Sequence, residues 1–417
     1  MAYQDPRSNL PDPESTPAVP IPSGTDAGVP GDHATVASSQ PMGATATTSA
    51  IALTALLPGA GHALMGEWLR GLLILLPWGA LLGLIFWAWE RIAAVGDGGS
   101  FDLWVAIATL AGMLVLVWGG ALFDLTVRRR RVLTRGDSQW SIAARQFRRN
   151  RLALVGLGII IVLYLVALLA PLLAPHDPVA QHDIARTSYL SPRAGNWLGT
   201  DRFGRDILSR IIYGSRISLS IGFVATVISI TIGTLLGALA GYFGGRVDTL
   251  IMRFTDTVLA FPRLVLLIMI VALFGPSITV IILVLGLTQW PGTTRIVRGD
   301  VLSLREREFI QAAQALGMGR ARIIGRHLIP NVMAPVIVAA TLGIGNTIVM
   351  EAGLAFLGLG VQPPTPTWGS MVADGRESLI SAWWVATFPG LVIVLVVLAF
   401  NLVGDGLRDA LDPRLRT

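Results

Sequence analysis

The sequence predicts an all-α, polytopic membrane protein, and three observations support this. Apolar runs recur from residue 50 almost to the C-terminal end, and a crossing helix needs roughly 20 such residues. Charged residues make up only 14% of the chain, against about 25% in an ordinary soluble domain. Hydrophobic residues reach 53%, and mean hydropathy is +0.64. The arginines, finally, cluster beside the apolar runs, as on the cytoplasmic flanks of membrane helices. That placement accounts for the net charge of +6 without a nucleic-acid partner. All 32 basic residues are arginine, and lysine and cysteine are absent. Disulfides, thiolate metal sites and the lysine of a P-loop are thereby excluded.

Residues 1–48 are rich in Pro, Ser, Thr, Ala and Gly and read as a disordered cytoplasmic tail. No basic segment there leads into a short apolar core, so a secretory signal is not expected. Residues 49–135 read as an additional membrane module. Its first part, Ala50 to Gly66, is interrupted by Pro58-Gly59 and suits an interfacial or re-entrant segment. Leu69 to Trp89 and Leu103 to Val127 then read as two spans, joined by a glycine-rich, nearly neutral external turn. Arg128 to Arg131 place the end of the second span in the cytoplasm. Residues 136–151 suit an amphipathic elbow helix at the inner headgroup layer, with Trp140, Ala144 and Phe147 on one face.

Six further spans are expected over residues 152–417: Leu152 to Leu173, Ser218 to Tyr242, Thr257 to Phe274, Ser277 to Trp290, Val332 to Met350 and Val385 to Val403. The fourth is short for a full crossing. A long external loop occupies 174–212. Arg246, Arg253, seven arginines from Arg295 to Arg326, and Arg408, Arg414 and Arg416 all fall on the inner side. The external loop carries arginines too, but long loops weigh little in that rule.

Between the fourth and fifth of these spans lies FIQAAQALGMGRARIIGRHLIPN, Phe309 to Asn331, too polar to cross and too regular for a slack loop. Phe309, Ala312, Ala313 and Leu316 recur at helical spacing and predict a helix with one smooth apolar edge. Gly317 and Gly319 break it. A second short helix carries Arg320, Arg322, Arg326 and His327, and Pro330 fits the first turn of a new helix. The pattern alone admits two readings, a knob that pushes on a partner or a surface helix-turn-helix without one.

Other residues invite paired readings. In GTDRFGRD, Gly199 and Gly204 permit tight turns while Asp201, Arg202, Arg205 and Asp206 can pair locally. The passage is either a binding or gating surface on the outer face or an electrostatic clasp that orders its own loop. Glu351, the lone acid between Val332 and Leu359, is either a pathway group or a structural partner for the glycine-rich turn after it. His176, Asp177, His182 and Asp183 raise a metal site, but Asp177-Pro178 is a common turn start and no metal is assigned. PGAGHALMGEWLRG at 58–71 suits a membrane hairpin.

The spacing Gln311-Ala312-Ala313, Gly317, Ile329-Pro330 resembles the coupling loop of ABC importer permeases, with Gln311 where that pattern has a glutamate. Further passages resemble the permeases of the dipeptide, oligopeptide and nickel class: RRNRLALVGL at 148–157, LGTDRFGRDILSRIIYGSRISLSIG at 198–222, GYFGGRVDTLIMRFTDTVLAFP at 241–262, EAGLAFLGLGVQPPTPTWGSM at 351–371, and the run 382–416. The resemblance begins near residue 140 and does not include the first 135. It implies a type I ABC importer transmembrane domain of six core helices at 152–417, in a multi-pass protein of the bacterial cytoplasmic membrane. It also implies a second permease subunit, two ATPase subunits that hold ATP and Mg, an extracytoplasmic solute-binding protein, and a peptide or nickel-chelate substrate. No cofactor is expected on this chain. The coupling residues would be Gln311, Ala312, Ala313, Gly317, Arg320, Ile329 and Pro330 in the loop 305–330. A stand-alone secondary transporter and a membrane enzyme are the competing classes. The spans contain few acids and no evident inverted repeat, and no catalytic cluster is legible in them.

Overall fold

The computed structural model describes residues 139–411 except His182, together with parts of the stretch from 53 to 121. The expected tail at 1–48 and the Arg128 to Arg131 run lie outside the described residues. Among the described residues the regular structure is helical, with only two isolated β-bridges, Arg193 with Asn196 and Thr200 with Asp206. Six helices among the described residues are long and apolar enough to cross a membrane, or seven if one bent pair counts as a single span.

The N-terminal part contains α1 (Ala60–Leu64), α2 (Trp68–Trp87) and α3 (Ala106–Val115). Gly59 and Gly71 let α1 fold back on α2: a Cβ on Gly59 would sit 2.4 Å from the Gly71 carbonyl oxygen. Of the expected second span, the described portion is α3. Its buried Ala106 and Leu110 pack with Ala88, Leu169 and Leu172, so this part rests on the end of the first core span.

The described part of the elbow is α4 (Gln139–Phe147), which ends short of the expected 151 because Asn150 starts a new helix by accepting a hydrogen bond from the Ala153 amide. The core spans are α5 (Arg151–Leu168), α6 (Ile207–Phe243), the pair α7 (Gly245–Ala260) and α8 (Arg263–Phe274), and α9 (Ile278–Arg305). After them come α10 (Glu308–Ala315), α11 (Arg320–Ile323), α12 (Ile329–Phe356), α13 (Trp368–Gly375) and α14 (Trp384–Leu411).

Three spans differ from expectation. The second core helix begins at Ile207 rather than Ser218, because Asp206 caps it through its bond to the Ser209 amide at 2.8 Å. The expected external loop 174–212 therefore ends in helix. The third span is broken: Pro262 has no amide hydrogen and forces Phe261 into an extended backbone, so α7 and α8 meet at 83°. The fourth does not stop at Trp290. It continues through Pro291 to Arg305, a helix of 28 residues, since neighbouring helices hold the backbone where proline leaves a carbonyl free.

The tightest packing joins α6 to α9. Gly233, Gly237 and Gly241 recur every fourth residue on α6, so one side of it is bare backbone. Cβ atoms there would lie 2.6 Å from Thr293 Cβ, 2.7 Å from the Thr294 carbonyl oxygen and 2.8 Å from Val301 Cβ. Small-residue spacing of this kind is how membrane helices approach closely where no hydrophobic effect drives them together. On the opposite flank α14 packs on α5, where a Cβ at Gly156 would meet the Ala399 carbonyl oxygen at 2.7 Å.

Candidate functional site

The knob is built by α10, α11 and a single π-helical turn, Ile324–Leu328, that runs straight into α12. Its underside is apolar: Ile310, Ala313, Ile323 and Leu328 are buried against Val297 and Val301 of α9, Ala238 of α6, and Val332 and Val336 of α12. Two arginines brace it further. The Arg305 guanidinium reaches the Tyr242 carbonyl oxygen at 3.4 Å, and that of Arg320 stands 5.9 Å from the Phe243 ring centre. Both contacts fall on the last turn of α6.

The apolar edge expected on this helix divides between its inward and outward sides. Of Phe309, Ala312, Ala313 and Leu316, only Ala313 is buried. The inward face consists of Ile310 and Ala313, one turn apart, because an eight-residue helix lying flat on the bundle needs no more. Phe309 is 44% exposed and Leu316 84% exposed, with exposed Ala312 between them. An apolar strip thus faces away from the protein to which the helix is fastened.

Gly317 ends α10 by a specific geometry. Its φ is +73°, its amide donates to the Gln314 carbonyl, and the Met318 amide reaches back to the Ala313 carbonyl at 3.1 Å. This paired bonding is the glycine-terminated helix end, and glycine adopts it without steric penalty. Gln311 donates through Nε2 to the Glu306 carbonyl oxygen at 3.3 Å, tying the helix to the turn before it. A glutamate carboxylate has no hydrogen to make that bond. Ile329 and Pro330 occupy the first turn of α12, as proline's missing amide allows.

Ahead of α6, GTDRFGRD forms an electrostatic clasp. Asp201 accepts from Arg205 Nε at 2.7 Å and from the Phe203 and Arg205 amides, and it lies 3.6 Å from Arg210 Nε. Asp374 of α13 adds a second carboxylate, 3.6 Å from Arg205 and 3.9 Å from Arg210. Asp201, Arg205, Asp206 and Arg210 are all buried. Gly199 and Gly204 make the turns, at φ +81° and +73°. Beside the clasp opens a cleft of about 500 Å³ lined by Arg202, Arg210, Gln362, Asp374 and Arg376.

Glu351 is buried and fastens α12 to α13. It accepts from Thr367 Oγ1 at 2.9 Å, while Thr367 also caps α13 through the Ser370 amide. Replacing Thr367 with valine removes both bonds and is expected to lower stability by about 1–2 kcal/mol, read as a drop in the melting temperature of the detergent-solubilised protein. The residues that raised a metal reading serve as turn and cap groups. Asp177 accepts from the Val179 amide, Asp183 from the Ala185 amide, and His176 faces Asp206 at 3.7 Å; His182 lies outside the described residues.

One polar set escaped the sequence. Gln289 of α9 accepts from Arg263 Nη2 and from Thr347 Oγ1, both at 2.9 Å, and Thr226 of α6 lies 3.4 Å from Thr347. The signal was available as an arginine directly after the break at Pro262 and a glutamine inside an apolar span.

The described residues form a multi-pass bundle with a braced helical knob, and two family models identify it as a transport permease of the membrane. Residues 233–417 match the family model described as "Binding-protein-dependent transport system inner membrane component", and 138–192 match that of the N-terminal TM domain of oligopeptide transport permease C. The dipeptide transport system permease protein DppC of Alkalihalophilus pseudofirmus is 49% identical over 280 residues, 67% of this chain and 91% of that protein. Its namesake from Haemophilus influenzae is 45% identical over 277 residues, 65% of this chain and 93% of that protein. The di/tripeptide permease DppC of Pseudomonas aeruginosa is also 45% identical over 277 residues, covering 65% of this chain and 90% of that protein. The chain belongs to this family of inner-membrane permeases of binding-protein-dependent transport systems. Residues 1–137 lie outside both family matches.

Proposed function

We propose that this chain is a permease subunit of an ATP-driven peptide importer, forming half of the pathway and converting ATPase closure into alternating access. The supporting observation is the strip Phe309, Ala312 and Leu316, apolar and exposed on a helix fastened to α6, α9 and α12. A solvated surface helix has no use for such a strip, whereas a groove in a partner does. ATP shifts the membrane conformations only through contacts that differ between them, and the knob is where such contacts enter. Gln311, Ala312, Ala313, Gly317, Arg320, Ile329 and Pro330 shape or present it.

In this reading ATP and Mg are held by two ATPase subunits, a second permease completes the pathway, and an extracytoplasmic binding protein delivers substrate near Gly199 to Asp206. Peptide is the assigned substrate because the relatives named above are dipeptide and di/tripeptide permeases. None of those names supports the nickel-chelate alternative.

The test is Leu316→Glu in the assembled transporter. Leu316 makes little contact within the chain, so insertion and melting temperature are expected to stay unchanged. ATP-driven uptake of dipeptide into vesicles is expected to fall at least tenfold. Unchanged uptake, or uptake by this chain without an ATPase, would remove the proposal.

A further inference from the structure

Arg263 is an arginine in a membrane span without an anion. It opens α8, directly after the proline that breaks the third span at 83°. Its Nη2 donates to Gln289 Oε1 at 2.9 Å, its Nε is buried with no hydrogen-bond partner, and among the described residues no carboxylate stands within ion-pair distance. Other arginines of the chain are matched: Arg205 and Arg210 by Asp201 and Asp374, Arg298 by Asp248, Arg295 by Asp256.

Depth makes the difference matter. Gln289 lies 11 residues below the start of α9 at Ile278, or about 17 Å at 1.5 Å per residue. Arg263 lies 11 residues below Phe274, the same depth along α8. The hydrocarbon core is about 30 Å thick, so both side chains fall near its middle. A cation there must face protein or water, and it marks a substrate pathway more often than a packing contact. Its surroundings are neutral and able to hydrogen-bond on both sides. Gln289 Nε2 donates to the Gly343 carbonyl at 3.4 Å, Thr347 donates to Gln289, and Thr226 adjoins Thr347. Four elements, α6, α8, α9 and α12, converge on this one set.

We propose that Arg263 is a substrate-contact residue on the pathway, its guanidinium pairing transiently with the carboxylate of the passing peptide while Gln289 and Thr347 offer neutral hydrogen bonds to its amides. This rests on the peptide-importer reading and deepens it. A resident carboxylate would hold the cation permanently, whereas a moving cargo needs a charge left unmatched between passages. The guanidinium, bonded to Gln289 at Nη2 and unpartnered at Nε, provides that.

The absence of cysteine gives a direct test. Arg263→Cys in the assembled transporter is expected to lower uptake of the dipeptide alanyl-alanine at least tenfold. Coupling the new thiol to aminoethyl methanethiosulfonate restores a cation and is expected to recover at least half of the uptake; the neutral methyl reagent is expected to recover none. Alanyl-alanine is expected to protect the thiol from both reagents at least threefold, with the wild-type assembly labelled in parallel as the blank.

Rescue by the cation without protection by the dipeptide would mean that Arg263 pairs with a carboxylate of the second permease, which overturns the proposal. A thiol that never reacts would put the position off any water-filled path and overturns it as well, as does wild-type uptake in the variant. If the wild-type assembly itself moves no alanyl-alanine, it is the importer reading that fails.

Discussion

Gly317→Val is expected to leave the protein inserted and its melting temperature nearly unchanged while cutting ATP-driven uptake about tenfold. The backbone at this position sits at φ +73°, which costs a residue with a Cβ about 1–2 kcal/mol and a β-branched one the most. A Cβ on Gly317 would meet no neighbouring atom within 4 Å, so the penalty is conformational and stays in the loop. A penalty of that size shifts the equilibrium between the native knob and its alternatives roughly five- to thirtyfold. A partner that recognises the native shape loses apparent affinity in proportion to the population removed. Gly317→Asn, which tolerates the left-handed conformation better, is expected to keep most of the uptake. ATP hydrolysis and uptake measured together in vesicles decide it, and full coupled uptake by the valine variant would show that the helix end is not what the partner reads.

Asp201→Asn is expected to be among the most destabilising single substitutions in the segment ahead of α6. It removes the carboxylate that faces two buried guanidiniums, those of Arg205 and Arg210. Leaving buried charge unmatched costs about 3–5 kcal/mol. Asp374 cannot replace it, since it lies 3.6 and 3.9 Å from the same two arginines and its side chain is 23% exposed. Arg202→Gln breaks a contact at 3.4 Å whose arginine is 42% exposed and a stacking on the Phe203 ring at 4.6 Å, each worth under about 1 kcal/mol. Melting temperatures of the solubilised protein are expected to fall in the order Asp201→Asn, Asp374→Asn, Arg202→Gln. An equal drop for all three would mean that the clasp is solvated.

The sequence made the helix, the glycine break and the proline restart of the knob legible, because each depends on local backbone chemistry. It showed an apolar edge without showing which residues turn inward, because Phe309 and Leu316 are as apolar as Ile310 and only the positions of α9 and α12 decide which side faces the protein. The same limit applies to the second core span. Asp206 was read as a loop charge, yet it is the cap that starts a 37-residue helix eleven positions early. Glu351 was read either as a pathway group or as a structural partner for the turn following it, and its bond runs to Thr367, sixteen residues along the chain. Arg263 went unremarked. Its meaning depends on having no anion nearby, and a list of residues does not show what is missing around each one. The spacing Gly233, Gly237, Gly241 was readable and was passed over, since glycine in an apolar run registers as neutral until a second helix is seen lying against it.

The glycine seam between α6 and α9 has a mechanical consequence. Helices locked backbone to backbone tilt as one rod, and α6 alone spans 37 residues, about 55 Å. The knob is fastened at one end of that rod and the Asp206 cap lies at the other. Leaning the rod by about 5° would swing its far tip by about 5 Å, close to the 5.4 Å pitch of a helix. A small shove on the cytoplasmic side would therefore reach the opposite membrane surface as a stroke of atomic size, with no chain of separate rearrangements between them.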